Sequence, residues 1–201
     1  KCLVAGKPFK AGDFVLCLSK QVDSFPFVEL YQRQTLSQGA GRKIGEDKGE
    51  FIEEGDALQV GSNRYCIISG IGILGNHSCN PSCKLGWSKE DGSSLFALRD
   101  LKEGDEITYD YSTCMGMLEC WSMSCLCGSD NCRQRVTQFH GIDPSTQSNM
   151  IKSNVIPKWL YLETQLTQDE RKERWEQEYT KEKYAGCAEA IEKEMTATSP
   201  F

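Results

Sequence analysis

A cluster of cysteines near residue 130 restricts the possible folds of this chain more than any other feature. Cys125, Cys127 and Cys132 place three thiols within eight residues. The polar turn at 128–131 lets the flanking thiols converge on one point. Tetrahedral zinc takes four ligands, so a fourth thiolate must come from elsewhere in the chain. The candidates are Cys79, Cys83, Cys114 and Cys120. The spacing alone does not choose among them.

The number of cysteines indicates a reducing compartment. The chain has eleven cysteines in 201 residues, and five of them lie between Cys114 and Cys132. A secreted disulfide framework usually has an even count and regular spacing, so metal binding explains this pattern better. Four thiolates leave no open coordination position for water, so the expected zinc site is structural rather than catalytic.

Charge and hydropathy exclude several classes of partner. The net charge is −6 and the pI is about 5.1, whereas proteins that bind nucleic acid usually present a basic stripe. A basic partner suits this charge better. No run of about 18 apolar residues occurs, and the first 30 residues lack a signal-peptide pattern. We therefore expect an intracellular protein, of the cytoplasm or nucleus, that binds neither nucleic acid nor membrane.

Short apolar runs predict a β-rich first two-thirds of the chain. A Lys-Ala-Gly-Asp turn beside an apolar run predicts a hairpin over residues 9–18. Residues 37–55 are rich in glycine and charged residues, which predicts a loop. Further strands are predicted at 57–60, 65–68, 71–74, 94–98 and 106–109.

After residue 133 the pattern becomes helical. Asp143 followed by Pro144 is predicted to begin a helix, and Pro157 must end any helix that precedes it. Thr167 and Glu170 have the spacing of a capping box, which predicts the start of a charged helix that reaches residue 184.

Three motifs occur in order along the chain. They are Asn-His-Ser-Cys at 76–79, GDEITYDY at 104–111, and the cluster of Cys125, Cys127 and Cys132 with the following Arg133. Together they resemble the two C-terminal motifs of the SET domain and the post-SET cysteine motif of SET-domain methyltransferases. The resemblance covers about residues 2–135 and is weakest before residue 70.

The resemblance implies a mainly β fold with C-terminal helices. The expected architecture is a SET-like β-clip of small curved sheets with a knot-like crossing, where residues 76–77 meet residues 109–111. The implied domains are a SET-like methyltransferase domain over 1–113, a post-SET zinc segment over 114–135 and a helical C-terminal extension over 136–201.

The resemblance also implies a role for each site residue. The implied zinc ligands are Cys79, Cys125, Cys127 and Cys132. The other candidates, at 83, 114 and 120, then become ordinary thiols. The residues expected to bind S-adenosylmethionine are Asn76, His77, Tyr111 and Leu126. Tyr111 is the implied catalytic residue, and Tyr109 is implied to contact the substrate.

Without the resemblance, the same residues have plainer interpretations. Tyr109 and Tyr111 alternate along a strand, which also suits packing within a sheet. A lone histidine is more often a hydrogen-bonded structural residue than a base, and this interpretation is kept for His140. The three motifs together favour the site interpretation for Asn76, His77 and Tyr111.

The function that the resemblance implies is S-adenosylmethionine-dependent methyl transfer to a lysine of a histone or another protein. One alternative is an enzyme with the same chemistry that acts on a small molecule. Another is a zinc-stapled pseudoenzyme or interaction module, which departures from the family motivate. No Gly-x-Gly precedes Val4, and Ile73, Ser82 and Gln134 stand where the family has Arg, Asn and Gly.

Overall fold

The computed structural model describes residues 1–19, 57–61, 64–68, 70–88, 92–116, 122–171 and 173. The predicted loop at 37–55, Cys120 and nearly all of the predicted helix beyond residue 171 lie outside these residues. Within them are nine strands and two complete α-helices. The strands are β1 (Phe14–Ser19), β2 (Ala57–Gly61), β3 (Arg64–Ile67), β4 (Asn76–His77), β5 (Cys83–Ser88), β6 (Gly92–Ala97), β7 (Thr108–Tyr109), β8 (Met123–Ser124) and β9 (Arg135–Val136). The helices are α1 (Pro144–Lys152) and α2 (Lys158–Thr164).

The strands form four small sheets. The largest has the order β1-β6-β5 and is antiparallel, β2 pairs with β3, β8 pairs with β9, and β4 pairs with β7 in parallel. The central strand β6 is almost wholly buried, since it packs on the main core. Gly86 on β5 lies under the ring of Phe96, where an added Cβ would be 2.7 Å from ring carbons. The predicted mainly β fold with helices toward the C-terminus is confirmed, and the knot-like threading stays a prediction.

The turn before β1 is present, but the predicted hairpin is wrong. The Lys10 amide donates to Asp13 Oδ2 at 2.7 Å, and Gly12 takes a φ of +92°. Phe9 pairs with Leu101, whereas β1 pairs with β6. A local turn fixes only the direction of the chain; the non-local pairing is favoured because it buries apolar side chains of β1 against the core.

Residues 71–74 were predicted as a strand and instead belong to a 3₁₀ helix, Gly70–Leu74. Gly72 packs so closely against Leu18 that an added Cβ would be 3.1 Å from its Cδ2 atom. The side chains of Ile71 and Ile73 are exposed, at 58% and 57%. The alternation of small and apolar residues therefore reflects a tight turn on the core rather than a pleated strand.

The parallel pairing of β4 with β7 brings two of the sequence motifs together. Asn76 lies opposite Thr108, and His77 lies opposite Tyr109. The predicted meeting of residues 76–77 with the segment at 109–111 is therefore confirmed. This pairing of two very short strands brings the residues of both motifs to one place.

Ser82, one of the departures from the family, holds β7 in place. The Thr108 amide donates to Ser82 Oγ at 2.8 Å, and Ser82 Oγ donates to the Glu106 carbonyl at 2.9 Å. The Ser82 amide in turn donates to Thr108 Oγ1 at 3.0 Å. Ser82 is 1% exposed, so these bonds satisfy a buried hydroxyl and fix the strand that leads into the site.

The predicted helix starts are confirmed. Asp143 Oδ1 accepts from the Thr146 amide at 3.0 Å, and Pro144 occupies the first turn of α1. Hydrogen bonds from Ser145 and Thr146 lower the pKa of Asp143 to about 2. Thr167 and Glu170 exchange capping-box hydrogen bonds in both directions. Among the described residues, no helix combines the length and the apolar character needed to cross a bilayer.

The two helices pack on the β domain through a small core and a buried polar contact. The core residues are Phe139, Ile142, Ile156 and Leu160. Glu163 of α2 is 1% exposed and lies 3.6 Å from His140 Nε2. An added Cβ on Gly116 would be 2.6 Å from Glu163 Oε2, so α2 fits closely against the segment that follows Tyr111. The structural role expected of His140 stays a prediction.

Candidate active site and metal centre

Four cysteine thiols converge beside β4. The Sγ atoms of Cys79 and Cys125 are 3.8 Å apart, and those of Cys125 and Cys132 are 3.6 Å apart. Cys127 Sγ accepts from the Cys79 amide at 3.5 Å. Four sulfurs that each lie about 2.3 Å from a zinc ion form a tetrahedron with edges of about 3.8 Å. The two sulfur–sulfur distances that involve Cys125 are close to this edge length, whereas Cys132 lies outside the set of possible ligand atoms that are all within 4.8 Å of one another.

Backbone amides also point at three of the sulfurs. The Arg133 amide donates to Cys79 Sγ at 3.4 Å, and the Gln134 amide donates to Cys132 Sγ at 3.4 Å. Together with the Cys79 amide, they give each of three sulfurs one N–H donor. Such hydrogen bonds favour the thiolate over the thiol, and thiolates are the form that binds zinc.

Gln134 stands where the family has glycine and carries an unusual backbone conformation. Its φ is +63°, in the left-handed region that favours glycine. In this conformation its N–H points at Cys132 Sγ while its carbonyl accepts from the Cys125 amide at 2.8 Å. The glutamine therefore adopts a conformation that glycine takes more readily, at a backbone cost of about 1 kcal/mol.

The thiols differ in the ease with which they lose a proton. Burial raises the pKa of the Cys79 thiol to about 12, against the Arg133 amide and guanidinium, which lower it. Burial also raises the pKa of Cys127, but hydrogen bonds from the Cys79 amide and Ser129 outweigh it and lower the pKa to about 5. Metal binding must therefore displace a proton from Cys79, which makes the affinity for metal depend on pH.

The histidine of the first motif also reaches the cysteine cluster. His77 Nε2 lies 3.3 Å from Cys79 Sγ. The possible ligand atoms of His77, Cys79, Cys125 and Cys127 all lie within 4.8 Å of one another. Sequence reasoning had assigned His77 to the cofactor and Cys132 to the metal. The spacing of His77 two residues before Cys79 was the signal that links it to the cluster.

The other described candidate thiols lie elsewhere. Cys83 is buried and contacts Ser82 Oγ at 3.8 Å. Cys114 Sγ donates to the Tyr111 carbonyl at 2.9 Å. Neither belongs to the cluster, so the expectation that they are ordinary thiols fits the structure.

Tyr111 is held by hydrogen bonds at both ends. Its hydroxyl donates to the Gly75 carbonyl at 2.6 Å, and its amide donates to His77 Nδ1 at 3.2 Å. The centroids of the Tyr109 and Tyr111 rings are 4.9 Å apart. Burial, together with Cys114, raises the pKa of Tyr111 to about 12. The hydroxyl is therefore protonated at neutral pH.

Tyr109 forms a buried wall beside this hydroxyl. It is 3% exposed, and burial raises its pKa well above the usual value. An added Cβ on Gly75 would be 3.1 Å from the Tyr109 ring, so the ring packs against the backbone that accepts the Tyr111 hydrogen bond. The two rings thus lie side by side, but only Tyr111 lines the cavity described below.

A cavity of about 540 Å³ opens between the two motifs and the cysteine segment. It is lined by Asn76, His77, Ser78, Asn80, Arg99, Asp105, Glu106, Thr108, Tyr111, Met123, Cys125, Leu126 and Cys127. Leu126 is 92% exposed and Met123 is 40% exposed, so two apolar side chains border a mostly polar cavity. Asn76 Nδ2 donates to Glu106 Oε1 at 2.8 Å.

All four residues predicted to bind the cofactor line this one cavity. Sequence reasoning missed Arg99, Glu106 and Met123, which line the same cavity. Of these three residues, Glu106 lies within the second motif and could have been found by inspecting that motif. Met123 and Arg99 come from segments without a motif, and only the fold brings them here.

A buried ion pair links the second motif to the cysteine segment. The Arg133 guanidinium donates to both carboxylate oxygens of Asp110, each at 2.7 Å. The side chains are 14% and 3% exposed. Arg133 Nη2 also donates to Ser112 Oγ at 3.2 Å. This bidentate pair ties the residue next to Tyr111 to the residue next to Cys132.

We expect Asp110→Asn to lower the free energy of unfolding by about 3 kcal/mol, because it leaves the Arg133 charge buried without its partner. Chemical denaturation of the zinc-loaded protein measures this change. The matched control is Asp100→Asn, which breaks the exposed Lys10–Asp100 pair at 2.6 Å. It should leave the free energy of unfolding nearly unchanged. Equal effects of the two substitutions would contradict the structural role of the buried pair.

Comparison with known proteins gives the same family as the three sequence motifs. A sequence profile of the SET domain matches residues 1–112. The chain is 28% identical over 187 residues to the histone-lysine N-methyltransferase ASHH2 of Arabidopsis thaliana, an alignment that covers 77% of this chain and 10% of that protein. It is 40% identical over 134 residues to an H3 lysine-4 specific histone-lysine N-methyltransferase of Aspergillus oryzae, covering 65% of this chain and 10% of that protein. An H3 lysine-36 specific histone-lysine N-methyltransferase of Mus musculus is 30% identical over 167 residues, covering 65% of this chain and 6% of that protein. The chain thus spans a tenth or less of the length of these relatives.

Proposed function

This chain belongs to the SET domain family, and we propose that it transfers a methyl group from S-adenosylmethionine to a lysine side chain of a protein. The observation that carries the proposal is the parallel pairing of β4 with β7. It places Asn76 opposite Thr108 and brings Tyr111 to the wall of a cavity that Leu126 borders. Three separate motifs thereby contribute to one site.

The cavity suits S-adenosylmethionine in size and in the chemistry of its walls. Its volume of about 540 Å³ lies within the range of small-molecule sites. The exposed Leu126 and Met123 offer an apolar surface for a flat base. Asp105, Glu106 and Arg99 offer both signs of charge for a ligand that carries an ammonium and a carboxylate. We assign cofactor binding to Asn76, His77, Tyr111 and Leu126.

S-adenosylmethionine supplies an electrophilic methyl group when it is bound. The protein must then hold the acceptor nitrogen in line and exclude water. The single hydroxyl proton of Tyr111 is used by the Gly75 carbonyl, so the phenol oxygen acts toward a substrate as an acceptor. It can accept an N–H of the lysine amine and so orient the nitrogen lone pair. Tyr111 is the proposed catalytic residue.

The two aromatic rings would also favour the reactive form of the lysine. Only the neutral amine has a lone pair, and removing an ammonium from water disfavours its charged form. The buried Tyr109 ring, 4.9 Å from the Tyr111 ring, supplies such a surface. We therefore assign substrate contact to Tyr109.

The four thiols would hold a structural zinc ion. Cys79, Cys125, Cys127 and Cys132 supply the donor set, and backbone amides support three of the sulfurs. The zinc segment carries Leu126, so it shapes one side of the cavity as well as stabilising the fold.

A protein is the acceptor that the comparisons favour, because the relatives are described as histone-lysine methyltransferases. The net charge of −6 also suits a basic peptide such as a histone tail. A small-molecule acceptor and an interaction module without turnover are the alternative outcomes of the tests below. The proposed domains remain 1–113, 114–135 and 136–201. The proposed location is intracellular, in the cytoplasm, the nucleus or both.

Titration of the zinc-loaded protein with S-adenosylmethionine by calorimetry tests the cofactor site. We expect binding by the wild type and an affinity lower by about 10- to 100-fold in Asn76→Ala, because a polar group that lines the cavity is removed. Asn149→Ala, an exposed residue of α1, is the matched control and should bind as the wild type does.

Absence of binding by the wild type would contradict the proposal and favour the interaction module. Equal binding by all three proteins would move the cofactor site away from Asn76. If binding follows the expected order, label transfer to core histones and to a metabolite extract decides between a protein and a small-molecule acceptor.

A further inference from the structure

We propose that the ring of His77 is a positioning group, which joins Cys79 of the metal centre to the backbone of Tyr111 and binds no metal itself. The proposal rests on the zinc site and the methyl transfer proposed above. It settles which of two overlapping sets of four side chains holds the metal. It also gives His77 of the first motif a role in addition to contact with the cofactor.

One ring nitrogen must be an acceptor. The Tyr111 amide points at His77 Nδ1 from 3.2 Å, and a backbone N–H can only donate. The His77 side chain is 4% exposed, so water has little access to replace this partner. A proton on Nδ1 would leave the Tyr111 amide facing another donor.

The nearest alternative partner of Nδ1 does not change this assignment. Asp110 Oδ1 lies 3.5 Å from Nδ1, farther than the Tyr111 nitrogen. Both Asp110 oxygens already accept from Arg133, and Oδ1 also accepts from the Ser112 amide at 3.1 Å. The carboxylate is therefore satisfied without the histidine.

The proton of the neutral ring consequently lies on Nε2. A protonated Nε2 has no lone pair to offer a metal, so His77 cannot be a ligand in this arrangement. It can donate to Cys79 Sγ, which lies 3.3 Å away. Cys132, whose sulfur is 3.6 Å from Cys125 Sγ, then completes the tetrathiolate set.

This arrangement makes His77 a rigid connection between the two centres. One ring edge holds a metal ligand and the other holds the main chain of Tyr111. The ring itself contacts the Tyr111 ring edge-on, with centroids 5.4 Å apart. Loss of the connection should therefore disturb both the position of the Tyr111 hydroxyl and the basicity of Cys79, as partners of metal ligands commonly do.

NMR of the protein loaded with cadmium-113 in place of zinc tests the tautomer directly. The chain contains only two histidines, His77 and His140, so a His77 variant assigns the ring signals. Long-range nitrogen-proton spectra are expected to show His77 with its proton on Nε2 and no scalar coupling between its ring and the metal. A ring with its proton on Nδ1, coupled to cadmium through Nε2, would overturn the proposal. Neither readout requires turnover.

Two amide variants separate the two halves of the connection. The Asn side chain can place its oxygen near the position of Nδ1, and Gln can place its N–H near the position of Nε2. We expect His77→Asn to lose about 10- to 100-fold in zinc affinity against a competing chelator, because it keeps an acceptor for the Tyr111 amide but offers no N–H to Cys79. His77→Gln should keep its zinc affinity, because its N–H can still reach Cys79, and should lower kcat by a similar factor while KM for the acceptor changes little.

Both variants, and His77→Phe, should still bind one zinc ion per chain when metal is in excess, whereas Cys132→Ala should not. Loss of the bound metal in His77→Phe with retention in Cys132→Ala would overturn the proposal. If the chain transfers no methyl group, the methyltransferase proposal fails alone, because the tautomer and the zinc affinity still decide the role of His77.

Discussion

Replacing Cys125 with alanine is expected to abolish zinc binding and to unfold the segment that carries the other two clustered cysteines. Cys125 is 2% exposed, and its sulfur contacts those of both Cys79 and Cys132. Zinc binding to such sites contributes about 10–16 kcal/mol in small peptides, as much as the whole stability of a typical domain, about 5–15 kcal/mol. Metal analysis and thermal denaturation of the purified variant measure the two effects.

The matched control for this substitution is Cys66→Ala. Cys66 is also 2% exposed, its sulfur donates to the Leu58 carbonyl at 3.7 Å, and it is not part of the group of possible metal ligands around Cys125. It should retain zinc and lose only about 1 kcal/mol, the cost of a small cavity. A Cys125→Ala protein that keeps its metal would contradict the tetrathiolate site. So would equal loss of metal in both variants.

The fold could be predicted from the sequence where a local pattern has only one geometric solution. The capping residues Asp143 and Thr167 fix helix starts through hydrogen bonds made within three residues of the cap, so their positions were correct. The segment at 70–74 was not, because its form depends on the contact of Gly72 with Leu18. The arms of the turn at Lys10 likewise pair with partners more than 70 residues away.

In the candidate site, too, some features could be predicted from the sequence and others could not. The motifs named Asn76, Tyr111 and the clustered cysteines, since these carry chemistry at a recognisable spacing. The meeting of residues 76–77 with residues 109–111 was predicted from the resemblance, but the individual side-chain contacts between the motifs were not. The Arg133–Asp110 pair and the double contact of His77 exist only once β4 and β7 lie side by side. The left-handed conformation of Gln134 could not be predicted from its residue type, because this region of φ favours glycine.

The contacts between the motifs also give the zinc segment a consequence for the active site. Arg133 holds the carboxylate of Asp110, and Asp110 precedes Tyr111 directly. Asn131 donates to the Cys79 carbonyl at 3.1 Å, two residues after His77. Residues of the zinc segment thus hold both the segment that carries Tyr111 and the segment that carries His77. Metal loss should therefore reduce turnover even at saturating cofactor.

Tyr111→Phe is expected to lower kcat by about 10²- to 10³-fold, the usual cost of removing one positioned polar group from a reacting centre. The ring contacts with Tyr109 and His77 persist in phenylalanine, whereas the bond to the Gly75 carbonyl at 2.6 Å is lost. Losing that bond should cost about 1 kcal/mol of stability. Single-turnover label transfer to core histones measures the rate, and calorimetry measures how much of the affinity for S-adenosylmethionine the remaining ring retains.

The matched control for Tyr111→Phe is Tyr161→Phe on α2, a tyrosine that is 43% exposed and lies outside the described cavity wall. It removes the same hydroxyl from the same residue type and should leave the rate unchanged. Because the phenol oxygen of Tyr111 offers only its lone pairs to a substrate, the loss should appear in kcat rather than in KM for the acceptor. A Tyr111→Phe protein that transfers methyl groups at the wild-type rate would show that the hydroxyl only supports the loop at Gly75, and the acceptor nitrogen would then have to be oriented by another group.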